Sequence, residues 1–225
     1  IRRDASSQFT GDNTWGTFWS VSGRWNINQE SFMENTAFNL LKLRGSYGKT
    51  GNQQLDVNNP VFPLDTRSAL YATGAGYEGV NALVNQRPEN EDLSWESTYQ
   101  ANIGLDFGLW NNRLSGTFDV YERTTEDLFL FQPVQTMAGI SGLTINSDGE
   151  LINSGFEASL AYDVLKNTDG FSLSVNGNVA YNKSEQFGRN LSTIEEGGKF
   201  NQYYAVRYAG VNQANGNLLF YDKDG

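Results

Sequence analysis

Two successive runs in the middle of the chain alternate apolar and polar residues. Over 101–109 every odd-numbered residue is apolar, and the residues between them are Asn, Gly or Asp. Over 114–121 the alternation returns, with apolar residues or Gly at the even-numbered positions. A strict period of two predicts a β-strand with one apolar and one polar face. Asn111 and Asn112 lie between the runs and tolerate positive φ, so the pattern predicts a β-hairpin with a two-residue turn.

The two faces of this hairpin predict two environments. In the predicted register Leu105 lies opposite Phe118 and Asp106 opposite Thr117, so one face suits lipid or a core and the other suits water. The arms match the ~9–11 tilted residues with which a strand crosses a bilayer. With later strands read in the same way, the residues predicted to face lipid are Leu105, Phe107, Phe118, Val120, Leu160 and Val175. The residues predicted to face a wet lumen are Asp106, Thr117, Asp119, Asn176 and Asn178.

The whole chain reads as a series of strands without a strong helical pattern. The predicted strands cover about 1–9, 15–27, 38–49, 95–109, 113–126, 153–165 and 171–184. Long segments at about 50–94, 127–152 and 185–225 alternate with short turns, and tracing the strands up and down puts every long segment at the same end, where the short link at 10–14 is the one exception. Outer-membrane barrels sort their connections in this way, with short periplasmic turns and long outer loops. The first long segment exceeds a simple connection, and a further hairpin around 67–77 is left open.

The composition fits such a barrel and narrows the chemistry. The 225 residues carry a net charge of −10, contain no Cys and no His, and have a mean hydropathy of −0.51. No apolar run reaches the ~18 residues of a membrane helix, whereas a barrel strand needs an apolar residue only at every second position. The lack of Cys excludes disulfides and thiol chemistry. The acidic balance argues against nucleic acid as a partner, because phosphate contacts need basic patches.

No catalytic, cofactor or metal site is predicted. The run DKDG at 222–225 resembles the start of a calcium loop, but the distal Glu ligand is missing, so the run reads as a turn. The carboxylates Asp106, Asp119, Glu122 and Glu126 lie near one another on the hairpin. Their regular spacing along strands suits a solvated face better than an acid–base pair. The chain is therefore not expected to be an enzyme.

A tyrosine-rich stretch near the end of the chain supplies the candidate substrate contacts. Tyr203, Tyr204 and Tyr208 lie close together, with Arg207 beside them. Exposed tyrosine next to asparagine suits stacking on a sugar ring or gripping a peptide. The competing interpretation is an aromatic girdle or simple loop packing. These four residues are the predicted binding candidates.

Several stretches of the chain resemble one family of transport proteins. LKLRGSYGKTGNQ at 41–53 is similar to the family pattern LKLRASYGxTGNQ, and NEDLSWE at 90–96 is similar to NPDLKWE, with Glu91 in place of Pro. Further resemblances are IRRDASSQF at 1–9, NIGLDFG at 102–108, NRLSG at 112–116, NSGFE at 153–157, and YAGV at 208–211 followed by YDKDG at 221–225. By their order and spacing, the chain is identified as a member of the SusC/RagA-like TonB-dependent outer-membrane transporters of Bacteroidetes.

The resemblance implies the architecture around this chain and a function. Such proteins form a barrel of about 22 strands, filled by an N-terminal plug domain. They lie in the outer membrane of Gram-negative bacteria, pair with a SusD-like surface lipoprotein, and import a glycan or a peptide with energy delivered by the TonB complex. No plug and no TonB box is recognisable in this sequence. The chain is therefore expected to be an internal segment of about a third of the barrel, with closure and TonB contact in parts outside it, and without a cofactor.

The residues alone leave one alternative open, a soluble all-β carbohydrate-binding or adhesion module. Its strands would also alternate, but they would be shorter, and its connections would not be sorted by length. The predicted fold class is all-β, with residues 1–225 forming part of one large antiparallel transmembrane β-barrel domain.

Overall fold

The computed structural model describes residues 1–54, 70–75, 80–87, 89–135, 140, 142–166, 170–188, 198–199 and 207–221. In chain order its strands are β1 (Arg2–Ala5), β2 (Trp15–Asn26), β3 (Phe38–Asn52), β4 (Leu70–Ala75), β5 (Asn81–Arg87), β6 (Glu96–Leu109), β7 (Leu114–Glu126), β8 (Phe129–Pro133), β9 (Gly142–Asn146), β10 (Glu150–Leu165), β11 (Leu173–Phe187), β12 (Gly198–Lys199), β13 (Tyr208–Val211) and β14 (Leu218–Phe220). Short 3₁₀ helices span Gly11–Thr14, Ile27–Gln29 and Ser31–Met33. Within the described ranges, no helix is long and apolar enough to span a membrane.

Eight of these strands form one open antiparallel sheet. Its order is β1-β2-β3-β6-β7-β10-β11-β12, so neighbours in the sheet follow one another along the chain apart from inserted hairpins. The pair β4–β5 is inserted between β3 and β6, and the pair β8–β9 between β7 and β10. A further pair, β13–β14, follows the sheet. The predicted all-β class with antiparallel strands is confirmed.

The central hairpin has the predicted register and the predicted turn residues. Leu105 pairs with Phe118 and Asp106 with Thr117, as the alternation predicts. Beyond the last ladder pair, Leu109 opposite Leu114, the Arg113 N–H donates to the Trp110 carbonyl at 3.2 Å and closes a turn with Asn111 and Asn112 at its centre. Three successive non-glycine residues are left-handed, with φ of 53°, 56° and 58° at 110, 111 and 112. Asn111 and Asn112 thus have the positive φ that the prediction expects, and Trp110 extends the left-handed stretch by one residue.

The neighbouring β2–β3 connection accepts three backbone N–H groups of this turn. The Trp110 N–H donates to the Ala37 carbonyl at 3.1 Å, instead of to Arg113 across the hairpin. The Asn39 carboxamide oxygen accepts the N–H groups of Asn111 and Asn112, at 2.6 and 3.4 Å. The bonds to Asn39 satisfy donors that a two-residue turn leaves unpaired within its own hairpin.

Strand ends differ from the predicted ranges on the side of the long connections. β1 stops at Ala5 rather than near residue 9. The Ser6 N–H still donates to the Thr14 carbonyl at 2.9 Å in the register of the ladder, and beyond it the chain leaves the sheet with Phe9 in a buried cluster. β10 begins at Glu150 and β11 ends at Phe187, so both reach further into the long segments than their predicted ranges.

The long segments, predicted as loops, contain strands of their own. β4–β5 lies within 50–94, β8–β9 within 127–152, and β13–β14 within 185–225. The hairpin left open around 67–77 corresponds to β4–β5, which lies further along the chain where the structure describes it. These six strands span only three to seven residues. Alternation over so few residues is hard to separate from turn sequence.

The cross-strand registers carry the alternation through the sheet. One row on the apolar face consists of Trp25, Leu43, Leu105, Phe118, Ala158 and Val179. The next row, on the opposite face, consists of Lys42, Asp106, Thr117, Ser159 and Asn178. By the same registers, all six residues predicted to face lipid share the apolar face, and all five predicted to face the lumen share the polar face. Which medium each face meets stays a prediction.

The apolar face is a layer of exposed side chains. Ile103 is 64% exposed and Val175 is 58% exposed. The rings of Phe118, Phe156 and Tyr181 stack across three strands, with centroids 6.2 and 5.9 Å apart. In the part of the chain that the structure describes, no second sheet covers this face, as a soluble sandwich would require. An uncovered apolar surface of this kind is typical of a face that meets a membrane or a partner.

Substitutions at Leu105 test what this face meets. If it meets hydrocarbon, Leu105→Arg should lower the free energy of unfolding by roughly 2–4 kcal/mol. Leu105→Ala should cost well under the ~2–5 kcal/mol of a buried cavity, because lipid chains fill the space. Thr117→Arg, on the polar face, is the control and should cost little. Folding titrations of the complete protein in lipid measure all three, and a severe Ala effect equal to the Arg effect would contradict the membrane assignment.

Candidate functional site on the polar face

A network of four charged side chains lies on the polar face and joins β3, β6 and β7. The Arg44 guanidinium binds Asp106 through Nε and Nη2, with Nη2 to Oδ1 at 2.8 Å. The same Nη2 reaches Asp119 Oδ1 at 3.0 Å. Lys42 Nζ lies 2.8 Å from the second oxygen of Asp106. Two cations and two carboxylates thus balance one another across three strands.

The register and one glycine create the space for this network. Arg44 pairs with Gly104 in β6, and Gly104 pairs with Asp119 in β7, so the three residues form one row. A Cβ on Gly104 would collide with Asp119 Oδ1 and with the Arg44 guanidinium. The arginine therefore lies flat across the glycine to reach the carboxylates on either side.

The network is partly shielded from solvent. Side-chain exposure is 35% for Arg44, 14% for Asp106 and 21% for Asp119. An exposed single ion pair contributes only about 0–1 kcal/mol, but a guanidinium with several well-aligned bonds contributes more. The arrangement braces the sheet and leaves little net charge at this position.

Towards the long connections, the polar face forms an open concavity of about 650 Å³. Its lining consists of Gln100, Asn102, Asp119, Tyr121, Arg123, Asn153, Glu157 and Asn182. These side chains come from four adjacent strands, β6, β7, β10 and β11. They include amide, phenol, carboxylate and guanidinium groups, so the surface offers both donors and acceptors.

Tyr121 lies at the centre of this concavity. It pairs with Gly155 of β10, and a Cβ on that glycine would meet the phenol ring and hydroxyl. The Tyr121 hydroxyl donates to Asn182 Oδ1 at 3.1 Å, which ties β7 to β11 across β10. The ring therefore lies flat over the glycine in a fixed orientation.

Several polar groups of the concavity are available to a ligand. Among the described residues, the side chains of Asn102 and Glu157 make no hydrogen bond or ion pair, and the Arg123 guanidinium makes one bond, of 3.3 Å to Gln100. Within the same part of the chain, no group of three metal-ligating side chains comes together. The chemistry that this surface supports is hydrogen bonding to a polar solute.

The tyrosine-rich stretch predicted to bind substrate is described in part. Tyr203 and Tyr204 fall outside the described residues. Arg207 stacks over the Tyr221 ring at 4.6 Å, and the Tyr208 ring lies 6.1 Å from that of Phe220. Both described side chains are thus engaged within or beside the β13–β14 hairpin. Their role in binding stays a prediction.

Sequence reasoning missed most of the concavity. Asp119 is predicted to face the lumen, but Tyr121, Arg123 and Glu157 are not among the predicted site residues. These residues could be found by taking the polar positions of each alternating strand and combining them over all four strands. That combination requires the register of β7 against β10, which pair across an inserted hairpin.

Comparison with known proteins places the chain among outer-membrane receptors. The family model described as "TonB dependent receptor-like, beta-barrel" matches residues 1–224. A TonB-dependent receptor of Formosa agariphila is 35% identical over 221 residues, which cover 95% of this chain and 20% of the relative. The TonB-dependent receptor SusC of Bacteroides thetaiotaomicron is 32% identical over 223 residues, which cover 96% of this chain and 21% of SusC.

Solved structures show the same architecture. The RagAB peptide transporter superposes with a TM-score of 0.76 at 31% identity, covering 99% of this chain and 25% of that one. The RagAB peptide importer in its closed-closed state gives a TM-score of 0.77 at 30% identity, with the same coverage. The chain spans about a fifth of the length of the curated relatives that it matches.

Removing the Arg44 guanidinium tests the role of the charge network. Arg44→Ala leaves Asp106 and Asp119 without their shared cation, so we expect the free energy of unfolding to fall by about 1–3 kcal/mol, and by less at high salt. Arg24→Ala is the matched control, because Arg24 pairs with Arg44 across strands and has no ion-pair partner among the described residues. It should change stability by no more than about 0.5 kcal/mol. Denaturant titrations in lipid measure both variants, and equal losses of stability would contradict a stabilising role for the charge network.

Proposed function

This chain belongs to the TonB-dependent receptor-like β-barrel family, and from that premise we propose that it forms part of the wall of an outer-membrane barrel that imports a nutrient. Energy for import reaches the barrel through TonB, by contacts outside this chain. The relatives are receptors and transporters, and catalysis forms no part of the proposal.

The observation that carries the proposal is the two-faced single layer. Eight antiparallel strands present exposed apolar side chains on one side and a hydrogen-bonding surface on the other. A sheet between hydrocarbon and an aqueous channel needs this division, because lipid-facing and lumen-facing residues alternate along each strand. The likeness to the RagAB chain over nearly all of the segment supports the same interpretation.

The polar face then lines the path of the solute. We infer that the concavity around Tyr121 provides transient hydrogen bonds to a polar solute, either a glycan or a peptide. The solved relative RagAB is a peptide transporter, which supports a peptide as the solute. The relation to SusC and RagAB supports a SusD-like lipoprotein as the partner at the outer surface.

The proposal also assigns an orientation. The turn at 110–113 lies at the periplasmic end, and the inserted hairpins β4–β5 and β8–β9 lie outside the cell. This assignment rests on the sorting of short and long connections, which is typical of outer-membrane barrels.

Growth of the native host tests the function. We expect deletion of the complete gene to abolish growth on one glycan or peptide source, and inactivation of TonB to abolish growth on the same source. On that source, Tyr121→Ala should raise the half-saturating solute concentration roughly tenfold, because one ordered contact is lost. Asn176→Ala, on the same face near the tight turns, is the control and should have little effect. Unchanged growth of the deletion strain on every source would contradict the proposal.

Cysteine labelling of whole cells tests the orientation, since this chain contains no Cys. Gln132→Cys in β8 is exposed and should react with a membrane-impermeant maleimide. Asn112→Cys is equally exposed but lies in the tight turn, so it should react only after the outer membrane is opened. The reverse pattern would invert the orientation.

A further inference from the structure

The short segment that leads into β6 contacts both strands of the β8–β9 hairpin. This segment, residues 90–96, has no regular secondary structure before Glu96, yet its side chains and backbone contact β8, β9 and the β1–β2 connection. We call residues 90–96 the rim clamp. Its contacts are long-range and mostly hydrogen-bonded.

Asn146, the last residue of β9, makes the central contact. Its Oδ1 accepts the Ser94 N–H at 2.8 Å, and its Nδ2 donates to the Ser94 carbonyl at 3.0 Å. The same Nδ2 donates to the Asp127 carbonyl at 2.7 Å. The carboxamide thus pairs with Ser94 as a backbone peptide would and also reaches the entry to β8.

Two clamp side chains hold the rest of the hairpin. Glu96 Oε1 accepts the Phe129 N–H at 2.8 Å, and its Oε2 accepts Asn52 Nδ2 at 2.7 Å. Asn90 Nδ2 donates to the Thr144 carbonyl at 2.6 Å. The clamp therefore binds β8 through Glu96 and β9 through Asn90 and Ser94.

The clamp is itself anchored by a small apolar core. Leu93 is 1% exposed and Phe9 is 3% exposed, and they pack together. The Phe9 ring lies 5.5 Å from the Trp95 ring and 6.2 Å from the Phe129 ring of β8. Phe129 of the β8–β9 hairpin thus packs against the same apolar cluster that anchors the clamp.

Backbone carbonyls of the clamp hold the β1–β2 connection as well. Asn13 Nδ2 donates to the carbonyls of Glu91 and Asp92, both at 3.3 Å. The clamp thereby links two connections that are far apart in sequence into one body at this end of the sheet.

The β13–β14 hairpin offers a contrast. Its Asn212 has the same side chain as Asn146, but among the described residues Asn212 Oδ1 accepts one N–H, that of Ala214 within its own turn, at 2.9 Å. Asn146 therefore joins the β8–β9 hairpin to partners remote in sequence, whereas Asn212 bonds within the turn of the β13–β14 hairpin.

We propose that the rim clamp fixes the β8–β9 hairpin to the sheet, so that this hairpin is a permanent part of the rim and not a movable flap. Asn146 is the contact on which the fixation depends most, since its carboxamide joins the end of β9 both to Ser94 of the clamp and to Asp127 at the entry to β8. A preordered rim spares an arriving ligand the entropic cost of ordering it. The inference concerns the rim itself and holds independently of which solute is imported.

The test is hydrogen exchange on the complete protein in lipid, with Asn146→Asp as the variant. The substitution keeps the shape but removes both donors and places carboxylate oxygens against the carbonyls of Ser94 and Asp127. Exchange at the Phe129 and Ser147 amides should accelerate at least about tenfold, while the amides paired between β6 and β7 stay unchanged. Asn212→Asp retains its acceptor and is the matched control, without effect on β8–β9.

A second variant and a second probe complete the test. Glu96→Gln places an amide donor against either Asn52 or the Phe129 N–H and should give the same local acceleration. A nitroxide at Gln132→Cys should give a narrower, more mobile spectrum when Asn146→Asp is added. Unchanged exchange in both variants would overturn the proposal, and so would an equal acceleration throughout β6 and β7, which would make Asn146 a determinant of global stability instead.

Discussion

The alternation of side chains across a single-layer sheet is the constraint on which the rest of this structure depends. A slip of one residue in any strand would exchange its apolar and polar faces. Arg44 opposes such a slip, because its guanidinium reaches Asp106 and Asp119 only when it lies in one row with Gly104. The polar face thus holds the strands in register and still leaves the Glu157 side chain without a partner among the described residues.

The sequence predicts what depends on residues close together in the chain. The register of β6 against β7 follows from alternation on both sides of one turn, so the sequence predicts it. The sequence does not predict the concavity around Tyr121, because β10 and β11 reach it only after a hairpin is inserted and β10 pairs with β7. Arg207 shows a different difficulty: its stacking on Tyr221 illustrates that aromatic content alone does not separate a binding surface from the packing of one hairpin.

Four of the stretches that resemble the family supply side chains with particular partners in the structure. LKLRG at 41–45 supplies Arg44 of the charge network, and NIGLDFG at 102–108 supplies its glycine and one carboxylate. NEDLSWE at 90–96 is the rim clamp, and Phe9 ends the stretch at 1–9. Positions on the apolar face need only be apolar. A sequence pattern is therefore most specific where geometry permits one donor, one acceptor or one small residue.

The tight turn at 110–113 has a consequence for assembly. Trp110 is the left-handed residue of this turn that is neither Gly nor Asn, and its conformation costs roughly 1–2 kcal/mol. The Arg113 N–H is paired within the hairpin, but the N–H groups of 110–112 are accepted by Ala37 and Asn39 of the β2–β3 connection. A β6–β7 pair without β3 beside it would therefore leave these three donors to water, so the turn is completed by a part of the chain that is synthesised before it.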